Sequence, residues 1–582
     1  MKSAPLILLL LLVACGPNQR SDNFGDGGNG SGSGSGSNAG GGCSSDLHDV
    51  LDANGNVIAT CPATQGCAAG VCVDACQAAA ASQGSVGCDF TVATPSFYSF
   101  IQPPCFAVFL ANNWPTDSVV TIDRGGTSYS ATTFGRVPDG TANAATWPVI
   151  PATGIPSSNV GVLFLGNDPS SNNAGRIMAC PVTAAVSITG GSAVYTGTNA
   201  ASGLGTAFHI HTSSPVSAYD VLPYGGASSY LPSAELLLPS SAWGTNYVTA
   251  GPEVSQGPGW GQVVAMMDNT SVQITPKNAL PGGPGVAAAP AQVTTTYTLA
   301  AGQYIQWQDA GDMAGSVISS TNPVSFTGGT GYLCLQTATS TGGGCDSGNQ
   351  LIPPVSALGS EYVAPPYATR RADLQPESIL YRFVGAVDGT ALAYKPAVPG
   401  APASISLGQV IEFQSTIPFV VTSQDAMHPF YVGQYMSGCS TTSGSRPGDL
   451  EGCLGDEEFV NILPPAQWLS SYVFFTDPTY TTTNLVIVRK VTATGFQDVT
   501  VDCLGVIGGW QPVADGATYQ ITNVDLQRGA PVGTCTNGRH TTTSAGGFNV
   551  MVWGLASAAS YAYPAGGNVG KINPVVVIGR QI

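Results

Sequence analysis

Apolar and polar residues alternate along most of this chain in short runs, each closed by a turn signal. Gln262-Val-Val-Ala-Met-Met and Ser271-Val-Gln-Ile-Thr flank an Asp-Asn-Thr turn, and Tyr381-Arg-Phe-Val-Gly-Ala-Val and Ala391-Leu-Ala-Tyr flank Asp388-Gly-Thr390. A period of two with β-branched and aromatic residues, interrupted by Asp, Asn and Gly, is the signature of hairpins. Leu299-Ala-Ala-Gly302-Gln-Tyr-Ile-Gln-Trp and Leu407-Gly408-Gln-Val-Ile-Glu-Phe form a further matched pair. Phe106-Ala-Val-Phe-Leu and Asn484-Leu-Val-Ile-Val read as strands of the same kind. Helical periodicity never exceeds a few turns outside the N-terminal segment, and Cys76 to Gln83 is a short candidate.

The strand pattern repeats. Leu236-Leu-Leu-Pro-Ser-Ser-Ala-Trp243-Gly-Thr-Asn-Tyr247-Val248, Leu351-Ile-Pro-Pro-Val-Ser-Ala-Leu-Gly-Ser-Glu-Tyr362-Val363 and Ile462-Leu-Pro-Pro-Ala-Gln-Trp468-Leu-Ser-Ser-Tyr472-Val473 align, with tyrosine spacings of 115 and 110. Upstream of each lies a second matching piece: Ser214-Pro-Val-Ser, Asn322-Pro-Val-Ser and Ile417-Pro-Phe-Val. The insertions between the two pieces differ in length, as surface loops do. The expected fold is all-β, built of repeated antiparallel units of about 110 residues, preceded by a small disulfide-rich module. Tandem β-sandwich-like units suit that length best, and a β-propeller is the alternative. The boundaries read as 43–88 for the Cys-rich module, then 89–249, 250–364, 365–474 and 475–582 for the four units. Trp243, Tyr247, Tyr362, Trp468 and Tyr472 recur in register, which suits core packing better than a ligand site.

Composition narrows the partners. Only 9% of the 582 residues are charged, against roughly 25% in ordinary soluble domains. The net charge is −17, and the longest basic run is Arg370-Arg371. Nucleic acid is therefore excluded as a partner, because phosphate binding needs Lys/Arg patches.

The first 15 residues read as an address. Lys2 precedes the apolar run Leu6 to Ala14, which ends in Leu12-Val-Ala-Cys15. A charged start, a short apolar run and small residues before the cut form a secretory signal. The run falls short of the about 20 residues a membrane-spanning helix needs. Leu-Val-Ala-Cys resembles the bacterial lipobox, which implies cleavage before Cys15, lipid on its sulfur and membrane attachment by that anchor. Gly16 favours the outer membrane over inner-membrane retention. Residues 16–42 are rich in Gly, Ser and Asn and read as a flexible tether.

The chain has fifteen cysteines. Setting Cys15 aside leaves an even number, which in an exported chain reads as seven disulfides. Cys43, Cys61, Cys67, Cys72, Cys76 and Cys88 crowd into one module whose connectivity stays open. Proximity suggests Cys334–Cys345, Cys439–Cys453 and Cys503–Cys535, leaving Cys105–Cys180.

Candidate chemistry is sparse. His209 and His211, two apart on a strand, point to one face, and a metal there would have nearby Asp220 as an arbitrary third ligand. Ser423, Asp425 and His428 sit together without a Gly-x-Ser-x-Gly elbow, so a hydrogen-bonded turn is expected rather than a triad. Asp449, Glu451, Asp456, Glu457 and Glu458 cluster around Cys453. A solvated acidic loop is expected, with calcium as the alternative. Tyr224 and Tyr230, in the insertion of the first unit, are the candidates for exposed ligand contacts. No catalytic, cofactor or metal residues are assigned.

Leu351-Ile-Pro-Pro, Gly385-Ala-Val-Asp-Gly-Thr390, Ser423-Gln-Asp-Ala-Met-His-Pro-Phe-Tyr431, Phe474-Phe-Thr-Asp-Pro-Thr-Tyr480 and Cys535-Thr-Asn-Gly-Arg-His540 together resemble the N-terminal domain of the IgGFc-binding protein family. With the looser repeats the resemblance extends from about Cys88 to the C-terminus. It implies a surface-exposed recognition or scaffold module without defining Fc-contact residues. The expectation is a lipid-anchored cell-surface binding or adhesion protein for glycans or glycoproteins, and not an enzyme. A structural envelope scaffold is one alternative. An extracellular hydrolase with carboxylates drawn from Glu361, Asp388, Glu412, Asp425 and Glu458 is the other.

Overall fold

The computed structural model describes residues 42–98, 101–173, 175–188, 202–252, 257–309 and 311–579. Cys15, the signal segment and nearly all of the tether lie outside the described residues. Strands take up 48% of the chain and helices 5%, so the protein is all-β.

One arrangement of strands recurs four times. In the second unit the outer strand Gln303–Asp309 pairs with the inner strand Gly259–Ala265. The inner strand pairs with the long strand Val317–Leu333, and the long strand with the closing strand Asp346–Leu351. The long strand also feeds a second sheet. Its first residues pair with the leading strand Gly244–Val248 and with the hairpin strand Thr270–Thr275. The first unit repeats this with inner strand Phe106–Asn112, outer strand Val160–Asn167, long strand Phe208–Leu222 and closing strand Ser233–Leu237. The fourth repeats it with Thr482–Lys490, Tyr519–Arg528, Gly538–Ala556 and Ala559–Pro564. In the third unit the long strand is split into Phe419–Thr422 and Phe430–Met436, and Glu458–Asn461 closes.

Each unit is thus sandwich-like, its two sheets sharing one bent strand. The four closing strands also touch in a ring: first with second, second with third, third with fourth, and fourth with first. The sheets carrying them stand around one axis as propeller blades do, so local sandwich geometry and global ring closure coexist. Burial follows from this. Phe106–Asn112, Gly259–Ala265 and Ile379–Gly385 are buried along their whole length, because a blade's middle strands are covered on both faces. Thr295–Leu299, in the peripheral hairpin, buries only alternate residues.

Strand pairing places the unit boundaries one strand earlier than the repeat suggests. The strands carrying Tyr247, Tyr362 and Tyr472 pair with the long strand that follows them, not with the unit before. The tyrosines explain the motif. Each hydroxyl accepts from the backbone N–H three residues upstream, at Gly244, Gly359 and Leu469, over 2.8–3.0 Å. Each donates to a carbonyl at the bend of the long strand, at Val324, Phe430 and Phe548. The rings are buried, so the recurrence serves packing. The prolines of the motif interlock successive units. A Cβ at Gly87, Gly244 or Gly359 would come within 2.4 Å of Pro239, Pro354 or Pro464, each of which opens the turn into the next leading strand.

All fourteen described cysteines are paired. The module uses Cys43–Cys67, Cys61–Cys72 and Cys76–Cys88. The remaining bonds are Cys105–Cys180, Cys334–Cys345, Cys439–Cys453 and Cys503–Cys535. The module's short helix, Ala75–Ser82, is capped by Asp74, whose carboxylate accepts from Cys76 and Gln77 N–H. Its apolar side and Leu47 enclose Trp114 of the first unit, against which His48 packs at 4.3 Å between ring centroids. After the last strand the chain runs back across the molecule. Val569 N–H donates to Gln83, Asn573 to the Val355 and Leu358 carbonyls, and Asn246 and Val577 exchange two hydrogen bonds.

Candidate functional site

The two ends of the axis differ. Where the closing strands finish, the proline turns at Pro239, Pro354 and Pro464, the Cys-rich module and the C-terminal segment pack together. Where they begin, the loops arriving from the long strands meet. These loops are unequal: 223–232, 334–345, 437–457 and the two-residue turn Ser557-Ala558.

They are built against one another. Thr341 N–H donates to Ser440, Thr442 N–H to Thr339, and Ser340 Oγ to Gly438 at 2.6 Å. Asp449 takes hydrogen bonds from Arg446 and from Arg528 of the fourth unit, with its own side chain buried. Gly455 N–H donates to Ala556, and Ala558 N–H to Cys453. In the first loop Ala227 N–H donates to Thr479 Oγ1. The result is one continuous face of loops fixed to a rigid ring.

Tyr224 is not part of its surface. It is 4% exposed and packs against Phe109, Trp147 and Phe164. Tyr230 is half-buried beside Tyr332, which stacks on Tyr98 at 4.7 Å, and the Arg176 guanidinium lies 5.9 Å from its ring. Burial, with Tyr332 alongside, pushes the Tyr230 hydroxyl up to about 12.

Beneath the loops the axis is lined by buried acids. Asp220 lies opposite Glu235 across one strand pair, and Asp346, Asp456, Glu457 and Glu458 are all buried. This corrects the solvated-loop expectation: only Glu451 of the five acids around Cys453 stays in an exposed contact, to Ser557 N–H. Glu458 accepts from Ser233 Oγ at 3.2 Å and Phe459 N–H at 3.1 Å, Glu457 from Leu335 N–H at 2.9 Å, and Asp346 from Ser347 N–H at 3.0 Å. Burial holds Asp220, Asp346 and Glu458 well above the usual carboxylate range. It raises Glu235 to about 7 and Glu457 to about 10. Burial thus favours the protonated form of these acids, and Glu458 on Ser233 and Glu457 on Leu335 N–H join neighbouring blades by hydrogen bonds.

The histidines divide by partner. His209 and His211 do share a face, but Asp220 lies at the far end of their strand. Their partners are Asp89 on the first unit's leading strand, Val86–Val92, and Asp123 on its hairpin strand, Val120–Arg124. His209 Nδ1 is 3.0 Å from Asp123, while His209 Nε2 and His211 Nδ1 lie 3.3 and 2.9 Å from Asp89 Oδ1. His428 binds Asp425 at 2.7 Å, whereas Ser423 Oγ donates to the Ser360 and Asp425 carbonyls, so no Ser–His pair forms. That turn occupies the point where the third long strand switches sheets; the other units have register shifts there. His540 uses both ring nitrogens, on Asp502 at 3.0 Å and the Thr536 carbonyl at 2.7 Å, and adjacent Cys503 is held in a disulfide.

The hydrolase carboxylates do not converge. Glu361 accepts from Tyr519, Asp388 from Leu407 N–H, and Asp425 pairs with His428. Glu412 pairs with Arg382, and Glu458 is buried in the axis. A cleft of about 670 Å³ beside Thr121, Asp123, Tyr129 and Pro151 has one carboxylate in its wall.

A family profile described as "IgGFc binding protein" matches residues 233–554, from the first closing strand to the last long strand. No curated protein and no solved structure matches the chain.

Proposed function

Because the chain belongs to the IgGFc-binding protein family, we propose that it is an exported, lipid-anchored binding module. In this reading the loop face grips a glycoprotein or its glycans. The observation that carries it is the polarity of the ring. The described chain begins at Gly42 in the module docked at the proline-turn end, and the loops lie at the opposite end of the closing strands. An anchor at Cys15 followed by the tether of residues 16–42 would attach this module to the outer membrane and leave the loop face free for a ligand. Two of the loops are pinned by disulfides, which lowers the ordering cost of binding.

The test has two arms. Full-length chain expressed in a bacterial host with labelled fatty acid should carry the label, and C15S should lose both label and membrane association. Tag-free ectodomain passed over immobilised mucins and antibody Fc should be retained. Shortening loop 437–457 to a Gly-Ser turn should abolish retention; it also removes the Asp449 and Glu457 contacts, so the melt should stay cooperative at a lower midpoint. Equal retention of the shortened variant would overturn the assignment of the face, and retention on none of these surfaces would overturn the ligand class.

A further inference from the structure

We infer that Asp89, His209 and His211 form a binding site for a divalent transition metal, with zinc the best match, and that Asp123 is its outer-sphere orienting group. The residues come from three neighbouring strands in register. His209 faces Asp123 on one side, and His211 faces Asp89 on the other. They lie outside the segment matched by the family profile, on the first unit.

Both ring nitrogens of His209 meet a carboxylate oxygen, Nδ1 at Asp123 and Nε2 at Asp89. A neutral imidazole carries one N–H, so one nitrogen would turn its lone pair toward an anion. A cation on that nitrogen removes the conflict, and it can be a proton or a metal ion. The same Asp89 oxygen lies 2.9 Å from His211 Nδ1, so one carboxylate oxygen links both imidazoles. Arg124, next along the hairpin strand, is engaged elsewhere, with its Nε on the Thr206 carbonyl and its guanidinium over Phe208.

Two imidazole nitrogens and one carboxylate oxygen are a zinc-type donor set that leaves a fourth position for water. The four side chains are a third to a half exposed, so an ion and its water can reach them. Asp123 on His209 Nδ1–H then has the geometry of the outer carboxylate that fixes the tautomer of a metal-bound histidine. Coordination requires the His209 and His211 rings to turn toward each other about the Asp89 oxygen that both already meet.

Tag-free full-length protein, stripped with chelator, would be titrated with Zn²⁺ by calorimetry and with Co²⁺ by visible absorption at pH 7.5. One ion per chain is expected, with a cobalt band of four-coordinate intensity. H209A, H211A and D89N should lose both signals, while D123N should keep the stoichiometry and weaken affinity about 10- to 100-fold. H428A should match the parent. H211N and unchanged melting curves guard against misfolding. An unchanged isotherm in the H209A/H211A double variant would overturn the proposal. So would no heat and no band in the parent, which would leave the proton as the cation on His209.

Discussion

At the scale of single residues, the recurring tyrosines and the buried acids make separate predictions. Tyr362 closes two backbone groups at once, accepting from Gly359 N–H and donating to the Phe430 carbonyl in a site closed to water. Y362F keeps the ring and strands both groups, so denaturant unfolding should show a loss of ~1–3 kcal/mol. A neutral result would mean that the ring alone matters. Glu235 concerns pH. Its folded carboxyl sits near 7 because burial penalises the anion, whereas in the unfolded chain it ionises near 4.3. The folded state therefore holds a proton that the unfolded state releases. That contribution is full below about pH 4.3 and is lost as pH rises through about 7. Thermal melts should fall between pH 5 and pH 8, with Glu235 responsible for ~2–3 kcal/mol, and E235Q should flatten that part of the slope.

At the scale of elements, stability rests on how one leading strand receives the next turn. The glycine–proline contacts at Gly87–Pro239, Gly244–Pro354 and Gly359–Pro464 leave no room for a methyl group. G244A should therefore force the leading strand and the Pro354 turn apart, at a cost of ~1–3 kcal/mol in the overpacking range. Chemical denaturation of G244A beside an alanine substitution at Gly302 separates the effects. Gly302 has open space around its Cβ position and a positive φ of 75°, so its loss reports backbone strain alone. The same elements show why the repeat was readable and its boundaries were not. Tyrosine spacing and proline turns are local patterns. Which long strand a leading strand joins depends on hydrogen bonds to residues about 70 positions away, and no local pattern encodes that.

At the scale of the whole molecule, three large hydrophobic clusters cross the unit boundaries, while the buried residues of a fourth stay within the first unit. One cluster joins residues of the first and fourth units, another the second and third, and a third the third and fourth. Buried Arg382 of the third unit pairs with Asp312 of the second. A ring held this way should melt in one calorimetric transition, with the measured enthalpy equal to the van't Hoff value. Truncation after Ala565 removes the segment that ties Gln83, Val355, Leu358 and Asn246 together. It should lower the midpoint by several degrees and uncouple the Cys-rich module, seen as a second, earlier transition. An unaltered melt would show that the closing strands suffice.

The amino-acid order settled the β class, the unit length, the even cysteine set and the tyrosine register, because each is a short-range pattern imposed by strand pleat, turn chemistry or spacing. It misplaced the acids around Cys453, since a run of charge reads as surface and only the surrounding blades bury it. It found His209 and His211 on one face but not Asp89 and Asp123, which lie 120 and 86 residues away in the chain. Ring closure, module connectivity and the facing of loops away from the module were decided by tertiary structure alone. The reason is physical: those features arise where four separately patterned units share one axis, and the free energy of that sharing belongs to contacts between units rather than to any stretch of chain.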